Sequence, residues 1–589
     1  MENVLMASEV IKGYHKPSLS ARITLKVYIS KAFDSVRWDF ILSVLQAHNV
    51  PEDFFKAVRA CICSPAFSVS INGRTSGYYK GKTGIREGDP LSPSLFVMVM
   101  NVMSLMLNKA AKARVFRFHS GCEDQELTHL SFADDLLIFL DGSLNSVQGV
   151  FSVLKKFEEL SGLAVNISKT SMFCSGVHQV VLADIKSYVG LSPSSLPIRY
   201  LGLPLCTRKL SVADSDPLIT QIRNKLNSWT HRTLSLADRY TLLSMVIPGI
   251  VGFWSSAFFL PKAVIRRINS LSSAFFWHGS TDSAKGAKVA WYDLSFPKKE
   301  GGLGLRSLRS WSETCGLKLI WMLFFRAGSI WVAWIREKYL SHSPLWALNG
   351  KNYEFSWMFR QLLKLRGKAF PLLRTLIGNG EDTFFWWDPW TPYGPLIHYI
   401  GCDGPSLMGI PLFSTVSDLI TPQGWRLPSA RSDKQLNLMA FITTMQLSLS
   451  NDQMVWVIDG VIQKDFSSSQ VWNFIRDSKP EVSWANLIWH KARIPKHAFS
   501  AWFFVLNRNP TLDRITRWGC DVEQTCLLCG NSEESRNHLF FSCIFSFQVW
   551  QEVLLKLSLV SPPSSWEAVL LWLPVASSNK VISQALLLA

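Results

Sequence analysis

Hydrophobic positions recur with both strand and helix periods over roughly the first 205 residues, which predicts strands and helices interleaved in an α/β layer. Residues 23–29 form a short β-rich run. Asp34 is then placed to cap a helix over 36–48, with Trp38, Ile41, Leu42 and Leu45 on its apolar side. "GKTGIREGDPLSP" (81–93) reads as a loop leading into a helix over 96–107. "THLSFADDLLIFLDG" (128–142) predicts two short strands that meet at a pair of acids. A helix over 150–160 and a short strand over 198–205 complete this region. From 207 to 341 the pattern is helical and rich in Lys, Arg and Trp, with "KKEGGLGLRSL" (298–308) as a glycine break. Residues 342–455 are an aromatic-rich linker region of uncertain fold, and 456–589 are mostly helical around a Cys/His cluster. No fixed-period repeat runs through the chain.

Two apolar runs raise the question of membrane spans. Residues 91–108 include Asn101 and three serines, and residues 240–261 include Pro248, Gly249 and Gly252; both read as buried helices, so no membrane partner is expected. The 589 residues are 48% hydrophobic and 18% charged, enough to bury sizeable cores and too apolar for global disorder. Sixty-one basic against 44 acidic residues leave a formal charge of +17, which favours a polyanionic partner, nucleic acid first. The N-terminus lacks the basic-then-apolar architecture of a secretory signal. Together with eleven cysteines, an odd number, it points to a reducing, intracellular setting. Nothing in the pattern fixes an oligomeric state.

"SFADDLLIF" (131–139) sets Asp134 and Asp135 inside an apolar run, and burying two carboxylates is costly unless a cation or a chemical task keeps them there. Adjacent acids on a tight hairpin can approach one concave site, as a pair of Mg²⁺ or Mn²⁺ ions handling a triphosphate would require. An acidic turn at a strand end is the plainer reading. A second cluster, Cys526, Cys529, His538 and Cys543, has the spacing C-x2-C-x8-H-x4-C, which fits a structural Zn²⁺ site with no open position. Cys520 is a spare thiol whose spacing fits less well. Nearby Lys491, Arg493, Lys496, Arg508, Arg514 and Arg517 interleave with Trp489, Trp502 and Trp518. Two readings fit that pattern equally: cations on phosphate with rings on unpaired bases, or tryptophans in a core.

Taken in order, "KVYISKAFDSVRWDF" (26–40), "GIREGDPLSPSLF" (84–96), "SFADDLLIF" (131–139), "SGLAVNISKT" (161–170) and "YLGLPL" (200–205) resemble the reverse transcriptases of non-LTR, LINE-type retrotransposons, especially plant ones. The resemblance continues through a thumb-like region (225–243), a Trp-rich connector and the C-terminal zinc-binding region. It implies a right-hand polymerase: a palm with α/β (α+β) architecture over 1–206, a helical thumb and connector over 207–341, the linker over 342–455 and a small, mostly helical zinc-binding domain over 456–589. It also implies RNA-directed DNA polymerase activity on an RNA template and DNA primer, with Mg²⁺ or Mn²⁺. Nuclear action would fit this family, although no clear basic import run is visible. Carried over by motif, Asp134 is the main catalytic metal ligand with Asp135 beside it, and Phe33 packs under the incoming sugar. Arg86, Glu87, Gly88 and Pro90 lie in the loop that approaches template and nucleotide, and Lys169 lies where a cation meets the departing pyrophosphate.

The chain departs from this pattern at the position of the first metal-binding aspartate, which is Tyr28. A phenol titrates near ~10 and offers no anionic oxygen at neutral pH, while Mg²⁺ sites lean on carboxylates. Asp34, read as a cap, and Asp39, a turn into the helix, are not expected to substitute. Glu87 stands where the family has Gln. The fingers and endonuclease segments that precede the palm in the family are missing, so Met1 reads as an internal methionine and the chain as an N-terminally truncated fragment, its last helix cut. The expectation is a polymerase by descent with impaired catalysis. The alternative is a non-catalytic nucleic-acid-binding protein that uses the basic thumb and zinc region.

Overall fold

The computed structural model describes residues 1–16, 20–229, 234–283, 285–341, 343–421, 424–559, 563–576 and 579–588. The chain forms two compact units, residues 1–210 with 317–465, and residues 211–316 with 466–589. Part of the stretch compared with a thumb, residues 230–233, lies outside the described residues, as does residue 342, where the linker was expected to begin.

The first unit opens with helix α1 (Glu2–Val10), strand β1 (Arg22–Tyr28) and helices α2 (Ala32–Ser35), α3 (Trp38–Ala47) and α4 (Glu52–Cys63). A ribbon of β2 (Ala66–Ile71) and β3 (Arg74–Lys80) follows, then α5 (Ser92–Lys112), β4 (His129–Phe132), β5 (Asp135–Leu140), α6 (Leu144–Ser161) and β6 (Ser171–Ser175). Strands β4-β5-β1-β6, in that order, make one antiparallel sheet. Because side chains switch faces at every strand residue, Ile23, Leu25 and Val27 share one face and Thr24, Lys26 and Tyr28 the other. The first face packs on α5 and α6 through Val99, Met103, Leu107, Val150, Leu154 and Phe157, all buried. On the second face a buried polar chain forms: Tyr14 Oη lies 2.8 Å from Thr24 Oγ1 and 3.0 Å from His119 Nε2. Burial pushes the His119 pKa down to about 3, so the imidazole stays neutral where it is hydrogen-bonded.

Several local expectations need correction. Asp34 does not cap a helix over 36–48: it lies within α2, Val36 is extended, and α3 starts after Arg37 without a side-chain cap. The break exists because the intervening backbone bonds elsewhere. Gly84 N and Thr83 Oγ1 both donate to Val36 O at 2.8 Å, and Arg37 N donates to Ser161 O at 2.8 Å. Asp39 is the second residue of α3 and pairs with Arg37. The strand expected over 198–205 is a hairpin, β7 (Ile198–Tyr200) and β8 (Leu203–Leu205), with Leu201 and Gly202 at positive φ in its turn. The β2–β3 ribbon was not anticipated, although Asn72-Gly73, both at positive φ, is a strong hairpin signal.

The linker region also has a defined fold. Strands Leu373–Leu376, Gln453–Ile458 and Val461–Gln463 form a small antiparallel sheet, and the middle strand runs through residue 456, where the last region was expected to start. Beside it Phe385, Trp386 and Trp390 centre an apolar cluster. The "GNGEDT" loop (378–383) folds around Asp452, whose carboxylate accepts from Gly378 N (2.7 Å), Gly380 N (2.9 Å) and Thr383 Oγ1 (2.6 Å). In the second unit, helices Asp216–Asn227, Leu236–Ser255 and Lys262–His278 precede the glycine break. The break is a docking surface for the C-terminal segment: Trp502 Nε1 donates to Gly301 O (2.9 Å), and Arg476 pairs with Glu300. Among the described residues two helices, α5 and Leu236–Ser255, are long and apolar enough to cross a membrane by length and composition; α5 buries Leu95, Phe96, Val99 and Met103 in the core.

Candidate functional site

Strands β4 and β5 join through a two-residue turn, Ala133-Asp134, in which Ala133 takes φ +50°. Asp134 thus sits at the hairpin tip and Asp135 is the first residue of β5, both half-buried. In the sheet register Asp135 lies directly opposite Tyr28, the last residue of β1. Period-2 alternation places Lys26 on the same face as Tyr28, and its Nζ lies 3.4 Å from Asp135 Oδ1 and 2.9 Å from Arg199 O. Segment 161–170 runs beside the end of β1: Asn166 N donates to Tyr28 O (2.8 Å), and Lys169 Nζ stands 4.8 Å from the Tyr28 ring centroid. The fold therefore brings together four sequence-predicted or motif residues, Tyr28, Asp134, Asp135 and Lys169, and adds Lys26. Lys26 was legible in principle, since it lies two residues before Tyr28 in a strand.

This arrangement holds two carboxylates, one phenol ring and two lysine amino groups. A pair of divalent ions needs more anionic oxygen than that, so the donor set does not fit a complete two-metal site. Asp34 and Asp39 are exposed, and among the described residues Asp39 pairs with Arg37 rather than with the acid pair.

The other motif residues gather around the 81–92 loop. Phe33 stacks on Phe96 with centroids 4.9 Å apart and planes at 20°, and its carbonyl accepts from Ile85 N (2.7 Å). Arg86 pairs with Asp89, whose other oxygen accepts from Leu91 N (2.9 Å) at the start of α5. Gly88 takes φ +84° and Glu87 is exposed. A cleft of about 810 Å³ opens here, lined by Asp34, Trp38, Phe67, Tyr79, Arg86 and Glu87 among others, but not by Tyr28, Asp134 or Asp135.

In the second unit the ligand atoms of Cys526, Cys529, His538 and Cys543 all lie within 4.8 Å of one another, with Cys529 Sγ 3.3 Å from His538 Nε2. Bonds of about 2.3 Å to sulfur and about 2.0 Å to nitrogen fit such spacing. The sequence builds it locally. Gly530, at φ +67°, donates to Cys526 O in a tight knuckle, and Cys543 starts the helix Ile544–Lys556. Burial pushes the Cys543 thiol up, but N–H groups of Ser546 and Phe545 and the neighbouring thiols outweigh it, so the net shift is downward, toward the thiolate. Burial raises Cys526. Among the described residues this is the one group of three or more such ligands brought within bonding reach of a single ion, and Cys520 lies exposed outside it. The chemistry of the donor set, three thiols and an imidazole, fits Zn²⁺ and leaves no open position.

The basic residues nearby divide. Trp502 is buried in the core, while Trp489 is half-buried, edge-on to Phe499 and with Lys298 Nζ 4.4 Å from its ring centroid. Arg493 and Arg514 donate to backbone carbonyls. Lys491, Lys496, Arg508, Arg517 and Trp518 are exposed.

Residues 4–205 match the family described as reverse transcriptase (RNA-dependent DNA polymerase), and residues 466–550 match zinc-binding in reverse transcriptase. The chain belongs to the reverse transcriptases, with Pol proteins of non-LTR retrotransposons among its relatives. It is 24% identical over 368 residues to an Arabidopsis thaliana protein named as a candidate ribonuclease H protein, covering 60% of this chain and 58% of that one. It is 28% identical over 324 residues to the Pol polyprotein from type-2 retrotransposable element R2DM of Drosophila melanogaster, covering 52% and 29%. An uncharacterized mitochondrial protein of Arabidopsis thaliana is 30% identical over 151 residues, covering 24% of this chain and 94% of that protein. The chain spans less than two thirds of the length of the first two relatives. The family gives this chain a polymerase fold.

Proposed function

We propose that this chain is the reverse transcriptase of a plant LINE-type element whose RNA-directed DNA polymerase activity is impaired at the metal site. The observation that carries the reading is the register of β1 and β5, with Tyr28 directly opposite Asp135. Nucleotidyl transfer moves an α-phosphoryl group onto a primer 3′-hydroxyl and releases pyrophosphate, and polymerases hold both oxygens between metal ions on carboxylates. Here Asp134 and Asp135 supply two carboxylates, and Lys26 offsets the charge of Asp135. The ring of Tyr28, with Lys169 above it, fills the space of the third. The four-ligand Cys/His cluster acts structurally, as a Zn²⁺ site that ties the C-terminal knuckle to its helix.

The test is primer extension on an RNA template with a DNA primer, in Mg²⁺ and in Mn²⁺, comparing the chain with its Tyr28→Asp variant. No extension by the chain and extension by Tyr28→Asp is the expected result. Extension by the chain itself overturns the reading, because another group must then complete the site. A second reading, nucleic-acid binding without chemistry, is favoured by the exposed Lys491, Lys496, Arg508 and Arg517 near exposed Trp518. Silence from both proteins with RNA binding intact selects it.

A further inference from the structure

The helix Ile544–Lys556 starts directly after Cys543 of the Cys/His cluster and leaves its apolar side largely uncovered. Phe545 and Val549 are 53% and 52% exposed, and Leu554 is its one buried residue. Leu528, between Cys526 and Cys529 of the same cluster, is 46% exposed. These three side chains line a cavity of about 770 Å³ together with Ile494, Ala501 and Trp566. The lining recurs with a helical period on two elements. On helix Pro495–Val505 and the residue before it, the lining takes 494, 497–498, 500–501 and 504–505; on Ile544–Lys556 it takes 545–546, 549–550 and 553. At 1.5 Å per residue the first stripe runs for roughly 16 Å. Among the described residues the lining includes Arg493 and no acid, and exposed Lys491 and Lys496 adjoin it in the chain. Arg493 Nη1 donates to His490 O at 2.9 Å, which fixes the guanidinium in place.

We infer that this cavity is a docking trough for an amphipathic helix of a partner protein, with acidic residues flanking the helix's apolar stripe. Exposed apolar side chains gathered at one place mark an interaction site more often than chance, and two apolar helical stripes make walls that a third apolar stripe can fill. The charge pattern narrows the occupant. With Arg493, Lys491 and Lys496 on one side and no acid in the lining, a helix carrying Glu or Asp beside its stripe gains complementarity that a basic helix lacks. Nucleic acid would suit the cations but has no continuous apolar face to set against Phe545, Val549 and Leu528. The Cys/His cluster bears on the trough as well. Cys526 and Cys529 position Leu528, and Cys543 sets the start of the helix that carries Phe545 and Val549, so a bound Zn²⁺ would fix one wall. This inference does not depend on whether the chain polymerises.

The experiment uses the full chain prepared with Zn²⁺ and a capped, fluorescein-labelled helical peptide with Leu at i, i+3, i+4 and i+7 and Glu on both flanks of that stripe, followed by anisotropy. The chain is expected to bind this peptide and to reject one of the same composition whose leucines are scattered around the helix. Val549→Glu and Phe545→Ala, both at exposed positions that a folded chain tolerates, should each weaken binding roughly 10-fold or more. Lys491→Gln with Lys496→Gln should weaken it by roughly 2- to 30-fold and flatten its salt dependence, while leaving a peptide with Gln in place of Glu unaffected. Removal of Zn²⁺ by a chelator should abolish binding, and a photo-reactive leucine in the stripe should crosslink within residues 487–573. Equal binding of the scattered peptide, no binding of either, or crosslinks elsewhere overturns the inference. So does displacement of the peptide by a single-stranded RNA that shares its sensitivity to Val549→Glu. Sedimentation supplies the last control: a dimer of the chain that Val549→Glu dissolves would make the occupant a second copy and refute a partner helix.

Discussion

Glu9 departs from the ordinary chemistry of its type. It is buried in α1, accepts from Ser356 Oγ at 2.6 Å and from Tyr339 Oη at 3.2 Å, and burial raises its pKa to about 7 despite those bonds and nearby Lys12. A carboxyl with a folded pKa above its unfolded 4.5 binds more protons when folded. Its contribution to stability is therefore complete below pH 4.5, declines as pH rises toward 7 and is gone above that. Glu9→Gln should remove this decline, so that the difference in unfolding midpoint between variant and parent grows from pH 4.5 to 7.5; a constant difference would show that Glu9 does not titrate in this range. Burial holds His119 near 3 and His129 near 4, and both act in the opposite sense, losing stability as pH falls below 6.5. None of these groups was singled out from sequence. Glu9 and Ser356 lie 347 positions apart, and only the fold makes them partners.

At the scale of elements, the strand–helix junction depends on Gly84. Its φ is +83°, and a Cβ there would lie 2.6 Å from Asp34 O, a backbone atom that cannot give way. Gly88, at φ +84°, has open space around it. Gly84→Ala should therefore destabilise the first unit by about 3 kcal/mol and Gly88→Ala by about 1 kcal/mol, read from denaturant midpoints of the corresponding transition. Equal effects would mean the close approach does not matter. This junction also shows how far pattern carries. The strand over 23–29, the hairpin at the acid pair and the helices near 96–107 and 150–160 were readable because each has its own period and its own core. The helix expected over 36–48 begins two residues later, at Trp38, because the loop at 83–84 takes the carbonyl of Val36, a long-range bond that no local pattern announces.

For the whole molecule, the Cys/His cluster links composition to folding. Native mass spectrometry should find one Zn²⁺ per chain, lost in Cys529→Ser. Chelation should raise hydrogen exchange across 520–556 while the 22–28 and 135–140 strands keep their protection, since ligand binding energy is folding energy for such a knuckle. Uniform loosening of the chain would argue that the metal supports more than its own unit. The two units themselves, 1–210 with 317–465 and 211–316 with 466–589, interleave along the chain. That grouping follows from which apolar faces meet, and sequence order alone favoured consecutive blocks.

The sequence by itself determined the ordered motifs, the acid pair, the substitution at Tyr28 and the C-x2-C-x8-H-x4-C spacing, because each is a local matter of residue type and interval. Through them it determined the family. Only the tertiary structure decided that Tyr28 faces Asp135 across the sheet, that Lys26 and Lys169 converge there, and that Trp502 is core while Trp518 is exposed. Register, burial and ion pairing depend on contacts between segments far apart in the chain, and the physics of desolvation acts on those contacts rather than on the order of residues.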